Sequence, residues 1–420
     1  MKEKLIHYIE EHKEELFESL CEMIRINTEN DGKNGTEKAL ALYLEGELSK
    51  LGIESDVYSP DEVEGIMEME DYLAGRNLKD RTNITGKIKG KSSKKALMLA
   101  GHLDTMPIGD LSLWTVPPTE GIIKDGRVWG RGACDDKYAL ATWLFIAKAM
   151  KALGIELDCD LYLTGYVDEE FGGGDGALAC TVKYPSDMYL NMDCKKFQIW
   201  HCASAGQQLE IVIKHKNEQD SCQNVIEGLE IVKDELMSFK ERRKEELDRN
   251  PYYHGSIIPG TSMRILRYGA GLEGAMNVGR VRFVYYSDKT STEIREEYKR
   301  MFDSINSRIA PLGMEISDVI YDSRLFRYGA LDPDNENIEL LKKSAKEATG
   351  RILEPRGSCL SDLSLFLANT KNPAFSFGIG RDFNEYGGAH LPDEHIECEV
   401  LTEFAKIIGS FVLDWDEKNK

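Results

Sequence analysis

In residues 128–150, VWGRGACDDKYALATWLFIAKAM, glycines 130 and 132 and the adjacent carboxylates Asp135 and Asp136 precede an apolar-periodic segment. That pattern predicts a tight loop followed by a helix from Tyr138 to Met150. A carboxylate at the mouth of a buried helix is costly to desolvate unless something positive neutralises it. Upstream, ALMLAGHLDT (96–105) sets His102 and Asp104 just past a short apolar strand. Downstream, LYLTGYVDEEFGGG (161–174) sets Asp168, Glu169 and Glu170 past another, and YGGAHLPDEH (386–395) offers His390 in a glycine-flanked loop. Histidines and carboxylates gathered at strand ends point to a hydrolytic metal site.

From Asn83 the chain alternates helices with short strands: NITGKIKG, ALMLAG, DLYLTGYV and MYLNMD. Alternation of this kind predicts an α/β layer with helices covering a largely parallel sheet, where ligands gather at the strand ends. His102, Glu169, Glu170 and Asp193 all fall at such ends. Ahead of it, helical spacing predicts one amphipathic helix over 3–25, then a second capped by Thr36 and stopped by Gly52. Residues 59–80 read as an acidic surface excursion with one short helix. Over 207–322 the texture changes to strand QLEIVIKHK, a helix from Cys222 to Lys240, strand VGRVRFVYYS and a helix from Ser291 to about Ile309. Because His390 groups with first-half residues, this stretch reads as an insertion. The expected division is a discontinuous catalytic domain, 1–206 and 323–420, and an inserted domain, 207–322.

A chain of 420 residues with 41% apolar content and 12 prolines is an ordered protein of more than one domain. Its formal charge of −20 argues against nucleic acid and anionic membranes as partners. Nine cysteines without a CxxC pair fit reduced, buried thiols in a cytoplasmic protein. The charged N-terminus does not resemble a signal peptide, and no apolar run is long enough to span a membrane.

Each candidate has an ordinary alternative. His102 with Asp104 could be a turn histidine with a capping aspartate, Asp135-Asp136 a helix cap, Glu169-Glu170 a solvated strand end, Asp193 a turn residue, and His390 a loop histidine. Together they support one arrangement. Two divalent ions need a carboxylate between them to offset their repulsion, a role Asp135 suits, with Asp136 as its rival. Each ion takes a histidine and a further carboxylate, which matches zinc's preference for nitrogen and oxygen. Asp104 could hold the second nitrogen of His102 and fix its tautomer. Glu169, beside Glu170, is placed to act as general base.

The motifs GHLDTMP, GRGACDDK, TGYVDEEFGG, PSDMYLNMD and GGAHLPDEHI, in this order, resemble the co-catalytic di-zinc hydrolases. That family includes acetylornithine deacetylase, succinyl-diaminopimelate desuccinylase, aminoacylase, carboxypeptidase G and the PepV-like dipeptidases. WTVPPTEGIIKDGRVWGRG and GSCLSDLSLF look like its connecting segments. The resemblance implies that His102 and Asp193 bind one ion, Glu170 and His390 the other, and that Asp135 bridges them. It also implies Glu169 as base, Asp104 as the orienter of His102, a cis peptide after Asp135, and an inserted α+β lid or dimerisation domain. The ions would be zinc, with cobalt or manganese as substitutes, and a homodimer is possible.

Members of that family commonly carry a histidine in a loop early in the inserted domain. Here no histidine stands in that loop; His215 on the preceding strand and His254 in YYHGS are the substitutes on offer, each with a plain structural alternative. Asn277 in GAMNVG sits where the family has a substrate-contacting asparagine, and Arg381 could grip a substrate carboxylate or form a surface ion pair. Glu394, His395 and Lys137 read as support around the site. The expected activity is metal-dependent cleavage of an amide in a dipeptide or N-acyl amino acid. The rivals are a metal-binding ligand sensor, favoured by the absent lid histidine and opposed by Glu169, and an α/β interaction protein without metal.

Overall fold

The computed structural model describes residues 1–217, 225–252, 262–271, 276–357 and 360–420. Its strands are β1 (Glu54–Tyr58), β2 (Asn83–Ile88), β3 (Ala96–His102), β4 (Ile122–Lys124), β5 (Arg127–Trp129), β6 (Asp160–Tyr166), β7 (Met188–Asn191) and β8 (Gln198–Ala203). They continue with β9 (Ala205–His215), β10 (Met263–Ala270), β11 (Val278–Ser287), β12 (Met314–Tyr321), β13 (Gly329–Ala330), β14 (Pro355–Gly357), β15 (Ala374–Gly378) and β16 (His395–Glu397). The helices are α1 (Lys2–Glu11), α2 (Lys13–Ile24), α3 (Lys38–Lys50), α4 (Lys137–Leu153), α5 (Asp175–Lys183), α6 (Ile226–Leu247), α7 (Ser291–Ile309), α8 (Glu336–Thr349), α9 (Leu363–Asn369) and α10 (Cys398–Asn419). They fall into two compact units: Met1–His201 with Ala330–Arg356 and Leu365–Lys420, and Cys202–Gly329 with Gly357–Ser364.

The first unit is built on a mixed sheet ordered β1-β2-β6-β3-β7-β15-β8, with β13 and β14 along β8. Its centre is parallel: β3 pairs with β6 and β7, and β7 with β15, while β2 and β8 join antiparallel. Strands running the same way end on the same side, so the residues after β3, β6 and β7 emerge together. The central strands read as continuous apolar runs because helices cover both faces. α4 is buried along most of its length from Lys137 to Met150 and ends where Gly154 turns left-handed at φ 62°. Gly101 of β3 lets it come close, since a Cβ there would lie 2.8 Å from that of Ala139. α10 adds Leu401, Phe404, Ile408, Phe411 and Trp415 to the same core. A three-stranded sheet, β16-β5-β4, stands apart.

The helix expected over 3–25 is two helices, broken at His12 (φ −115°, ψ 17°). The His12 ring stacks on Tyr8 at 3.9 Å, and its backbone N–H closes on the Tyr8 carbonyl, a break that apolar spacing does not register. The excursion over 59–80 holds two short 3₁₀ turns, 60–62 and 66–68, in place of one helix.

The second unit is a four-stranded antiparallel sheet ordered β10-β11-β9-β12. Ile211, Ile213, Phe283 and Tyr285 on one face pack against Leu236 and Phe239 of α6 and Ile305 of α7. Thr290 and Glu293 form a capping box that starts α7. Among the described residues, no helix is long and apolar enough to cross a membrane.

Candidate functional site

At the ends of the three parallel strands of the first unit, the structure brings His102, Asp135, Glu169, Glu170, Asp193 and His390 together. His102 is the last residue of β3, Glu169 and Glu170 follow β6, and Asp193 lies two residues beyond β7. Asp135 comes from the glycine-rich loop ahead of α4. Its two oxygens divide between the histidines: Oδ1 is 3.1 Å from His102 Nε2, and Oδ2 is 3.1 Å from His390 Nε2. Glu170 Oε2 lies 2.6 Å from the same His390 nitrogen. The candidate ligand atoms of His102, Asp135 and Glu170 lie within 4.8 Å of one another, as do those of His102, Glu169 and Asp193. His102 thus belongs to both groups.

Asp136 is turned the other way. It is fully buried, and its Oδ2 accepts the backbone N–H of His102 at 3.2 Å. The Asp135–Asp136 peptide is cis.

The donor chemistry fits a divalent cation. His390 Nε2 faces two carboxylate oxygens at close range, yet neither is aligned to accept a hydrogen bond from it. His102 Nδ1 donates to the carbonyl oxygen of Asp104 at 2.8 Å; a carbonyl only accepts, so the proton stays on Nδ1 and the Nε2 lone pair is left for the cluster. Burial opposes charge on both imidazoles. Asp135, Asp136 and Asp104 outweigh it at His102 and raise that ring above its ordinary range, and Glu170 and Asp135 push His390 up to about 11. Burial raises the carboxyls of Asp136 and Glu170, whereas Asp135, between two imidazoles, is held below its ordinary range. Such a carboxylate-rich cluster demands positive charge among its oxygens, from imidazolium or from a metal.

The surroundings hold these groups rigidly. Asp104 reaches His102 with its main-chain carbonyl, not with its carboxylate as the sequence suggested; its Oδ1 is 3.7 Å from Nδ1. The carboxylate instead accepts the backbone N–H groups of Glu169 and Glu170, each at 3.1 Å, and the Asn30 side-chain amide at 2.9 Å. Asp168 and His390 both have left-handed backbones, φ 68° and 65°, a conformation that neighbours must impose on a non-glycine residue. For Asp168 they are Arg81, which donates Nη1–H to Oδ1 at 2.9 Å and also clasps Glu37, and Gly173, where a Cβ would lie 1.7 Å from Oδ2. Glu170 Oε1 accepts the Met106 N–H at 2.9 Å. Glu394 ties down the loop before Asp135, accepting from Gly132 and Cys134 N–H at 3.0 Å and pairing with Arg131 at 2.6 Å. Lys137 points away and donates to the carbonyls of Met23 and Ile26, and His395 packs on Trp129.

Arg381 adopts its ion-pair alternative, with Nη1 2.6 Å from Glu397 and Nη2 donating to the Tyr386 carbonyl. In the second unit, Asn277 is part-buried at the turn into β11, and His215 is a buried residue of β9 opposite Met314. His254 lies outside the described residues. Asn30, Glu37 and Arg81 were missed from sequence; each is an isolated polar residue in a loop, and only the fold brings it to the site. The second unit has a buried arginine of its own. Arg324 is 3% exposed and pairs with Asp362 at 2.9 Å, while its Nε and Nη1 have no acceptor.

Residues 98–414, which carry all six clustered side chains, match peptidase family M20/M25/M40. The chain belongs to that family. It is therefore a metallohydrolase, and the resemblance to the family of succinyl-diaminopimelate desuccinylase and the dipeptidases, read from its motifs, holds. It is 25% identical over 446 residues to the N-formyl-4-amino-5-aminomethyl-2-methylpyrimidine deformylase of Bacillus subtilis, covering 98% of this chain and 97% of that one. In fold it is similar to the di-peptidase Dug1p of Saccharomyces cerevisiae (TM-score 0.72, 17% identity, 99% of each chain). It is also similar to human carnosine dipeptidase 1 (TM-score 0.71, 14% identity, 99% of this chain and 100% of that one). This M20 architecture matches the α/β expectation.

Proposed function

We propose that the protein hydrolyses an amide bond in a small substrate bearing a carboxylate, a dipeptide or an N-acyl amino acid, with two divalent ions at this site. The observation that carries this reading is the division of the Asp135 oxygens between His102 and His390, which suits a bridging ligand. In this reading His102 and Asp193 would hold one ion, and His390 and Glu170 the other. The mixed nitrogen and oxygen donors favour zinc, with cobalt or manganese as substitutes. When bound, the ions supply charge that polarises the scissile carbonyl and acidifies the attacking water.

The chain's own part is to orient groups and move a proton. Asp104 keeps His102 in one tautomer through its carbonyl and fixes the Glu169–Glu170 turn through its carboxylate. Glu169 takes the proton from the water as it attacks, then delivers it to the leaving nitrogen. A deformylase and dipeptidases alike cut an acyl–nitrogen bond, so the relatives named above agree with this reaction class and differ in what lies on either side of it. None of them is a ligand sensor.

Glu169→Gln tests the assignment. The variant should keep its metal content and lose turnover by a factor of 10²–10⁴, the usual scale of general acid–base catalysis (about 3–5 kcal/mol). Turnover close to that of the unaltered protein would remove Glu169 from the role.

A further inference from the structure

We propose that Phe383 forms one wall of the substrate pocket and that the preferred substrates carry an aromatic or heteroaromatic ring close to the scissile amide. This rests on the assignment of His390 to the metal site. The Phe383 ring centroid is 4.8 Å from that of His390, tilted by 49°, while 57% of the residue remains exposed. A lone exposed phenylalanine is ordinary on a protein surface. What distinguishes this one is that it touches a residue of the reaction centre and sits on a loop pinned at both flanks.

Before Phe383, Arg381 is held by Glu397 at 2.6 Å, and Asp382 pairs with Lys195 and with Lys196. After it, Glu385 pairs with Lys196, and the Tyr386 hydroxyl donates to Asp393 at 2.7 Å. Asp393 is fixed in turn by the backbone and hydroxyl of Thr115, at 2.7 and 2.8 Å. The ring is thus presented in a set position, with one part against His390 and much of its surface open to water. A planar group seated near the cluster would cover that apolar surface and pair with the ring in an offset or edge-to-face geometry, with centroids about 4.5–7 Å apart. The cluster supplies polar and charged groups for the amide; Phe383 supplies the apolar wall that small-molecule sites combine with them.

The test uses the full-length, metal-loaded protein and compares it with Phe383→Ala and Phe383→Tyr. Values of kcat/KM are measured for N-benzoylglycine, with the ring on the acyl half, N-acetylphenylalanine, with the ring on the amine half, and N-acetylglycine, which has none. Affinity is measured in parallel by calorimetry for benzohydroxamate against acetohydroxamate, which requires no turnover. The unaltered protein should favour a ring-bearing member of each set, and the two amides report which half carries the ring. Phe383→Ala should cut that preference about tenfold, the scale of a ring pair with its covered area, and Phe383→Tyr should keep it. Metal content by elemental analysis should be the same in all three. No ring preference in the unaltered protein, or the same preference in Phe383→Ala, would overturn the proposal. A preference lost together with metal would also overturn it, because Phe383 would then merely buttress His390. Ring-selective hydroxamate binding without hydrolysis of any amide would refute the reaction class while leaving the aromatic wall in place.

Discussion

Replacing Asp104 with Asn separates two roles that the residue performs with different atoms. Its main-chain carbonyl, untouched by the change, still accepts the Nδ1–H of His102. Its carboxylate presents one oxygen to the backbone N–H of Glu169 and the other to that of Glu170, both at 3.1 Å. An asparagine offers a single acceptor oxygen, so one of those N–H groups would face an amide NH₂. Asp104 is fully buried, out of reach of bulk solvent. A buried donor stranded in this way costs about 1–3 kcal/mol. Taking about 2 kcal/mol as the centre, and assigning it to the turn that carries Glu169, kcat/KM should fall roughly 30-fold. Steady-state hydrolysis measures that loss, and competition with a chelator measures metal affinity in the same samples. Affinity should fall less than in His102→Ala, because the carbonyl still sets the imidazole. A variant that gave up its metal as readily as His102→Ala would refute the reasoning and return the orienting role to the carboxylate.

Arg81→Met leaves Glu37 and Asp168 buried without their shared cation and should destabilise the protein by about 3–5 kcal/mol in urea denaturation. Burial already pushes the Glu37 carboxyl up from 4.5 to about 7, and losing Arg81 raises it further. A carboxyl raised in the folded state favours folding most below its unfolded value, and that advantage disappears as pH rises through its folded value. The deficit should therefore be larger at pH 8 than at pH 5, and an equal or smaller deficit at pH 8 would count against the ion pair. Burial also pushes the thiols of Cys159 and Cys398 up to about 11 and that of Cys21 to about 12. With Cys134, Cys180, Cys194 and Cys202 also buried, all seven cysteines among the described residues should react slowly with a thiol reagent in the native protein. Rapid labelling of more than two of the nine cysteines would contradict that packing.

The parts of the site that were legible in the sequence are those that local rules place. Apolar runs ending in His102, in Asp168-Glu169-Glu170 and shortly before Asp193 announce β3, β6 and β7, and parallel pairing brings their ends together. The loop and helix pattern at 128–150 supplies Asp135 at the start of α4. His390 was legible through its motif, since nothing local ties position 390 to position 102. Strand β10, MRILRYGA, and strand β12, MEISDVIY, went unread because charged residues interrupt their alternation. The network behind the site was unreadable for another reason. Arg81, Glu37 and Asn30 acquire their roles from residues 44 to 87 positions away, and no spacing rule reaches that far. Even Asp104 meets His102 through a main-chain atom that a residue name does not specify.

Anomalous diffraction from crystals equilibrated with a divalent transition metal tests the bridging role of Asp135 most directly. The account predicts two peaks per chain, one beside His102 and one beside His390, about 3.5–4 Å apart with an Asp135 oxygen facing each. One peak alone, or two peaks that Asp135 does not touch, would contradict it.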